Sequence, residues 1–112
     1  MNMKNQSKNT NIYIGLNDRL TGVQKYSTDK YLAILKNVCR SYHVAFSVHL
    51  ISGGFFHEDG RYVEENTLSL MMYDVSEETI MEIAKDLCVF FNQESVIVSS
   101  SESKVFFVKE NL

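Results

Sequence analysis

Apolar and polar positions along the chain switch between a period of two and a helical period, and the switches mark its elements. Ile12, Ile14 and Leu16 alternate with Tyr13, Gly15 and Asn17, the period of two that predicts a half-buried strand. A polar loop follows from Asp18, and Ser27 or Thr28 before Asp29 offers an N-cap for a helix running to about Tyr42. Tyr31, Leu32, Leu35, Val38, Cys39 and Tyr42 form its apolar stripe at helical spacing. From His43 to Phe56 the alternation returns, with Val44, Phe46, Val48 and Leu50 on one face and Ala45, Ser47, His49 and Ile51 on the other. Asp59-Gly60 supplies the turn of a hairpin, because glycine accepts positive φ. The returning strand, Arg61 to Tyr73, sets Leu68, Leu70 and Met72 toward the core and Glu65, Thr67, Ser69 and Met71 away from it. Ser76 caps a second helix whose first turn carries Glu77 and Glu78, where the macrodipole favours negative charge. Its stripe is Ile80, Ile83, Ala84, Leu87 and Phe91. Val96 and Val98 place a fourth strand at 92–99, and 104–108 reads as a short fifth one after a serine-rich turn.

The order β-α-β-β-α-β predicts an α+β fold of the ferredoxin-like type, an antiparallel sheet with both helices on one face. Right-handed crossovers give the strand order four, one, three, two. Another α+β meander of the same elements is the alternative. Residues 1–10 are rich in Asn, Lys and Ser with no apolar period, which predicts a disordered tail before a single domain at 11–112.

Composition narrows the classes. With 112 residues and 45% hydrophobic content, one core forms without metal or disulfide staples. A net charge of −3 argues against direct nucleic-acid binding, which calls for a basic stripe. No apolar run approaches the ~18 residues of a membrane span, so the reading is a cytoplasmic chain without a membrane partner. Cys39 and Cys88 fall within the helices and read as small apolar residues. His43, His49 and His57 lack metal-ligand spacing, and Gly53-Gly54 runs into a hairpin rather than a phosphate loop, so no metal or cofactor is expected.

In the predicted layout, polar residues from five segments reach one edge of the sheet. They are Asn17 and Asp18; Gly53 and Gly54; His57, Glu58, Asp59 and Gly60; Glu64, Glu65 and Asn66; and Asn92, Gln93 and Glu94. Turns are polar in any soluble domain, so the cluster is either solvated turns or a binding edge. If the topology holds, Asn17, His57, Glu64 and Gln93 are neighbours. His57 beside Glu64 or Asp18 has the chemistry of a general acid/base pair, although no spacing enforces it. On the sheet face away from the helices, Tyr13 and Tyr73 accompany Ile51, Met71 and Ile97, which suits burial against a second subunit in a homodimer. The same face lacks the basic-aromatic signature of RNA-recognition domains.

Three stretches carry a resemblance: Tyr13-Ile-Gly-Leu-Asn-Asp18, Glu58-Asp-Gly-Arg-Tyr-Val-Glu-Glu-Asn-Thr67 and Phe91-Asn-Gln-Glu-Ser-Val96. The set resembles small uncharacterised proteins of phages and mobile elements of Gram-positive bacteria, and more distantly the bacterial domain of unknown function DUF3574. The resemblance implies a phage accessory protein of the kind that includes anti-CRISPR inhibitors. The expectation is a non-enzymatic binding protein that inhibits a host RNA-guided nuclease, with Glu58, Asp59, Glu64 and Glu65 meeting its basic channel and Phe55, Phe56 and Tyr62 as apolar anchor. The alternative is a small-molecule or nucleotide binder, with Asn17, Asn92 and Gln93 reading the ligand. A third reading is an enzyme with His57 as base.

Overall fold

The computed structural model describes the backbone at residues 2–56 and 58–110, with side chains from residue 8 onward. Six elements follow in order: β1 (Asn2–Gly15), α1 (Thr28–Ser41), β2 (Ser47–Phe56), β3 (Tyr62–Tyr73), α2 (Glu77–Phe90) and β4 (Ile97–Phe107). The strands form one open sheet in the order β2-β3-β1-β4, each neighbouring pair antiparallel. This is the α+β, ferredoxin-like arrangement, with the strand order that right-handed crossovers predict.

Both helices start where their serines allow. The Ser27 hydroxyl accepts from the Lys30 amide and the Ser76 hydroxyl from the Thr79 amide, each at 3.2 Å. Both also end alike. His43 and Asn92 adopt left-handed backbone at φ 56° and 49°. The Val44 amide then reaches back to the Cys39 carbonyl, and the Gln93 amide to that of Cys88. These are Schellman closures made without glycine. Alternation of side chains does the rest: Ile12, Ile14 and Leu16 of β1 and Leu68, Leu70 and Met72 of β3 meet Leu35, Val38 and Cys39 of α1 and Ile80, Ile83 and Leu87 of α2 in one buried cluster. Phe91 seals its end, its ring 5.0 Å from that of Tyr31. Burial raises the Cys39 thiol to a pKa of about 11, so it behaves as an apolar residue. Tyr42 ties the helices together by donating to Asp86 Oδ2 at 2.6 Å, and that bond pushes its hydroxyl up to about 12. No helix among the described residues is long and apolar enough to cross a membrane.

Three boundaries differ from the sequence reading. The segment expected to be a tail is strand: β1 starts at Asn2 and pairs with β4 from Asn2↔Phe107 to Tyr13↔Ile97. A strand needs a partner's backbone rather than an apolar period, and β4 provides one. For the same reason the two short strands expected at 92–99 and 104–108 are one strand, Ile97–Phe107, with the serines paired across to β1 instead of turning. Thr10 and Ser100 even share a hydroxyl hydrogen bond of 3.0 Å. Strand β2 starts at Ser47 rather than His43, which the first helix's closure consumes.

Two ribbons project from the sheet's middle. At one end β2 and β3 continue past the Gly15↔Thr67 pair to Phe56↔Tyr62, and at the other β1 and β4 continue past Asn9↔Tyr73. The molecule is therefore long, 57 × 28 × 27 Å.

Candidate functional site

Segments that the layout brings together do meet at the end of β1. Asp18 is buried, and its carboxylate accepts from the Leu20 amide at 2.8 Å and from Asn92 Nδ2 at 3.0 Å. These bonds to the ionised form, Asn92 first, hold its pKa below the ordinary carboxylate value. Gln93 Nε2 donates to the Asn17 carbonyl at 2.6 Å, and Asn17 Nδ2 donates to the Glu64 carbonyl at 3.3 Å. The Schellman corner at Asn92 aims both amide side chains at the strand end. Gln24, which sequence reasoning missed, completes the set: its Oε1 accepts from Asn66 Nδ2 and its Nε2 donates to Thr28 Oγ1, both at 3.0 Å. It bridges back to Asn17 as an isolated strand pair, a long-range contact with no local signal.

Glu65 belongs to a different surface. Its carboxylate accepts from the Asn17 amide at 2.9 Å and lies across Gly15, where a Cβ would collide with it. Gly15 has no side chain because the carboxylate occupies that space. Register puts Gly15, Thr67 and Ile51 side by side on the open face. The adjacent rows form a shallow depression of about 290 Å³ lined by Asn11, Tyr13, His49, Ile51, Ser69 and Met71. Among the described residues no Lys or Arg lines it. Glu65 is thus an oriented carboxylate over Gly15, the next residue on that face of β1 after Tyr13, and the recess itself has two ring-bearing side chains and a partly apolar floor. Tyr13, Ile51 and Met71 were placed on this face from sequence. His49 was placed there too, without a role; the recess appears only once β2, β3 and β1 are in register.

Other expected site residues stand apart. Glu58 and Asp59 are exposed at the hairpin turn, where Asp59 Oδ1 accepts from the nearby Arg61 amide at 3.0 Å. Tyr62 packs over Gly54 and against Phe56, ring centroids 5.2 Å apart. Glu94 is exposed beyond the Gln93 contact. His57 lies outside the described residues.

No family model matches the chain, and no curated protein matches it. The DUF3574 resemblance is therefore without a matching family model. Solved structures do match in fold. One is a phage SAM lyase in complex with S-methyl-5'-thioadenosine, with a TM-score of 0.70, 20% identity, and coverage of 91% of this chain and 85% of that chain. Another is a phage SAM lyase in the apo state, with a TM-score of 0.68, 19% identity, and coverage of 97% of this chain and 98% of that chain. These matches overturn the expectation of a non-enzymatic anti-CRISPR inhibitor of a host nuclease: the fold is similar, along nearly the whole chain, to that of a phage SAM lyase. The geometry also separates the acidic residues assigned to that contact, since Glu65 is pinned on the open face while Glu58 and Asp59 sit at the hairpin turn.

Proposed function

We propose that this chain is a lyase that cleaves S-adenosylmethionine at the open sheet face beside Glu65. The observation that carries the reading is the Glu65 carboxylate, fixed by the Asn17 amide over Gly15 on the same open face as the Tyr13–His49 recess, in a fold similar to that of a phage SAM lyase holding S-methyl-5'-thioadenosine.

The chemistry suits such a site. Cleavage that leaves S-methyl-5'-thioadenosine breaks the bond between the sulfonium sulfur and Cγ of the methionine moiety. The substrate's own α-carboxylate can displace that sulfur: an oxygen–Cγ bond closes a five-membered lactone, and the sulfur–Cγ electron pair leaves on sulfur as a neutral thioether. No proton moves, so no catalytic base is required. What the protein must supply is conformation, bringing carboxylate oxygen and Cγ together. Glu65 serves this best at the substrate's ammonium group. Set against the sulfonium it would stabilise a charge that disappears in the transition state, which slows the reaction. Tyr13 and His49 offer ring faces to the adenine, and Ile51 and Met71 offer apolar surface in which two opposite charges annihilate readily. A lining without Lys or Arg among the described residues suits a ligand of net positive charge.

Incubating the purified protein with S-adenosylmethionine and following S-methyl-5'-thioadenosine by mass spectrometry tests the reading. Turnover above the spontaneous background is expected, falling by about 100-fold, or ~2.7 kcal/mol of barrier, in Glu65→Gln. A protein that neither forms the thioether nor gains thermal stability from it refutes the proposal.

A further inference from the structure

One polar residue of the recess has no part in the chemistry above. Asn11, Tyr13 and Gly15 take alternate positions on β1, so all three lie on the face away from the helices, while Ile12 and Ile14 between them are buried in the core. Asn11 is half-buried between Met71 of β3 and Ser99 of β4. It lines the recess, and among the described residues its amide has no hydrogen-bond partner. Asparagine is depleted from strands, and a half-buried amide left unpaired on a central strand costs free energy that a ligand with a matching donor and acceptor recovers.

Distance says which part of a ligand would reach it. The lyase reading of this face, on which the inference rests, sets the substrate's ammonium at Glu65, over Gly15. Successive residues on one face of a strand are ~7 Å apart, which puts Asn11 about 14 Å from Gly15. By standard bond lengths, S-adenosylmethionine spans on the order of 13 Å from its ammonium nitrogen to its 6-amino nitrogen once the methionine arm folds for ring closure. Asn9, the next residue on that face, is about 20 Å from Gly15 and out of reach. The row between also fits. Tyr13 pairs with Ser69 and Ser69 with His49. A purine lying over that row extends about 6 Å from its centre to a hydrogen-bonded partner, close to the spacing of the rows.

We infer that Asn11 selects the base of the substrate: Oδ1 accepts from the adenine 6-amino group, and Nδ2 donates to the ring nitrogen beside it. A side-chain amide presents an acceptor and a donor side by side, the complement of that edge. The substrate class is thereby sulfonium nucleosides of a 6-aminopurine, rather than sulfonium compounds in general.

Calorimetry on the full chain tests this with two probes, S-methyl-5'-thioadenosine and its analogue in which hydrogen replaces the 6-amino group. The wild type is expected to bind the analogue about tenfold more weakly. In Asn11→Ala the two affinities are expected to agree within about twofold, because the amide and the amino group are coupled. Asn11→Thr, which keeps a strand-forming side chain, must give the same loss of discrimination and serves if the alanine variant does not fold. Equal affinities in the wild type overturn the inference, as does a tenfold gap that persists in the variants. A variant that weakens both probes alike also overturns it, since that is the mark of a structural role. Turnover of S-adenosylmethionine on the same samples separates the two readings: product without discrimination at the amino group refutes the role of Asn11 alone, whereas neither product nor binding of either probe refutes both.

Discussion

The end of β1 and the tip of the hairpin read alike in sequence, as runs of Asn, Asp, Glu and Gln, yet the fold uses them in opposite ways. At the strand end, Asp18, Asn92, Gln93, Asn17, Asn66 and Gln24 satisfy one another across four segments of chain. At the tip, Glu58 and Asp59 face water, and Asp59 accepts from an amide two residues along. The difference is the supply of partners. A helix terminus, a loop and two strands converge on β1, whereas only two strands and their turn exist at the tip. Polar residues become structural where several elements can reach them, and stay available where they cannot.

That contrast can be broken by experiment. The largest stability effect is expected at the strand end, where Asn92→Ala loses a hydrogen bond to a charged partner and puts a Cβ-bearing residue without amide compensation at φ 49°. Urea denaturation should report about 2 kcal/mol of lost stability, and Asn92→Gly should recover the backbone part of it. A somewhat smaller effect, on chemistry rather than stability, is expected from Gly15→Ala. Its Cβ must displace the Glu65 carboxylate, a mobile side-chain end, so melting temperature should hold while S-adenosylmethionine turnover drops by roughly tenfold, ~1.4 kcal/mol.

Acid should separate the two regions next. Asp18 titrates below its ordinary value of 3.8 in the folded chain, so the unfolded chain binds the proton first. Its contribution is then complete above about pH 3.8 and is lost as pH falls through the folded value. Asp18→Asn should flatten that part of the acid-unfolding curve, and an unchanged curve would show that the network does not depend on the charge. At the other extreme, Asp59→Ala is expected to change stability by no more than about 0.5 kcal/mol in the same urea assay. A larger loss would mean that the tip is structural after all.

Much of the fold was legible because its signals are local. Ser27 and Ser76 cap where expected, the second helix's stripe is buried, as are Tyr31, Leu35, Val38 and Cys39 of the first while Leu32 and Tyr42 are half-buried, and Leu68, Leu70 and Met72 face the core. The junction of Asn17, Glu64 and Gln93 followed from topology alone. What escaped had no local sign. His43 and Asn92 close helices in a conformation more often given to glycine, Gln24 acts through a contact formed by folding, and Asn2 to Lys8 become strand through β4. The recess beside Glu65 is a product of register across three strands, and its glycine looks like any other until the carboxylate is seen to fill the space.

The pairing of β1 with β4 also sets an order of events during synthesis. As a central strand, β1 emerges from the ribosome before any of its partners exist, and it gains β3 only after α1 and β2 have been made. Its other edge waits for β4, the last element, across nearly the full sequence separation of the chain. Contacts of that separation form slowly, so the nascent protein passes through a stage in which three strands are assembled and one flank of β1 still offers unpaired backbone. A chain truncated before β4 would leave that flank of β1 as an unpaired edge.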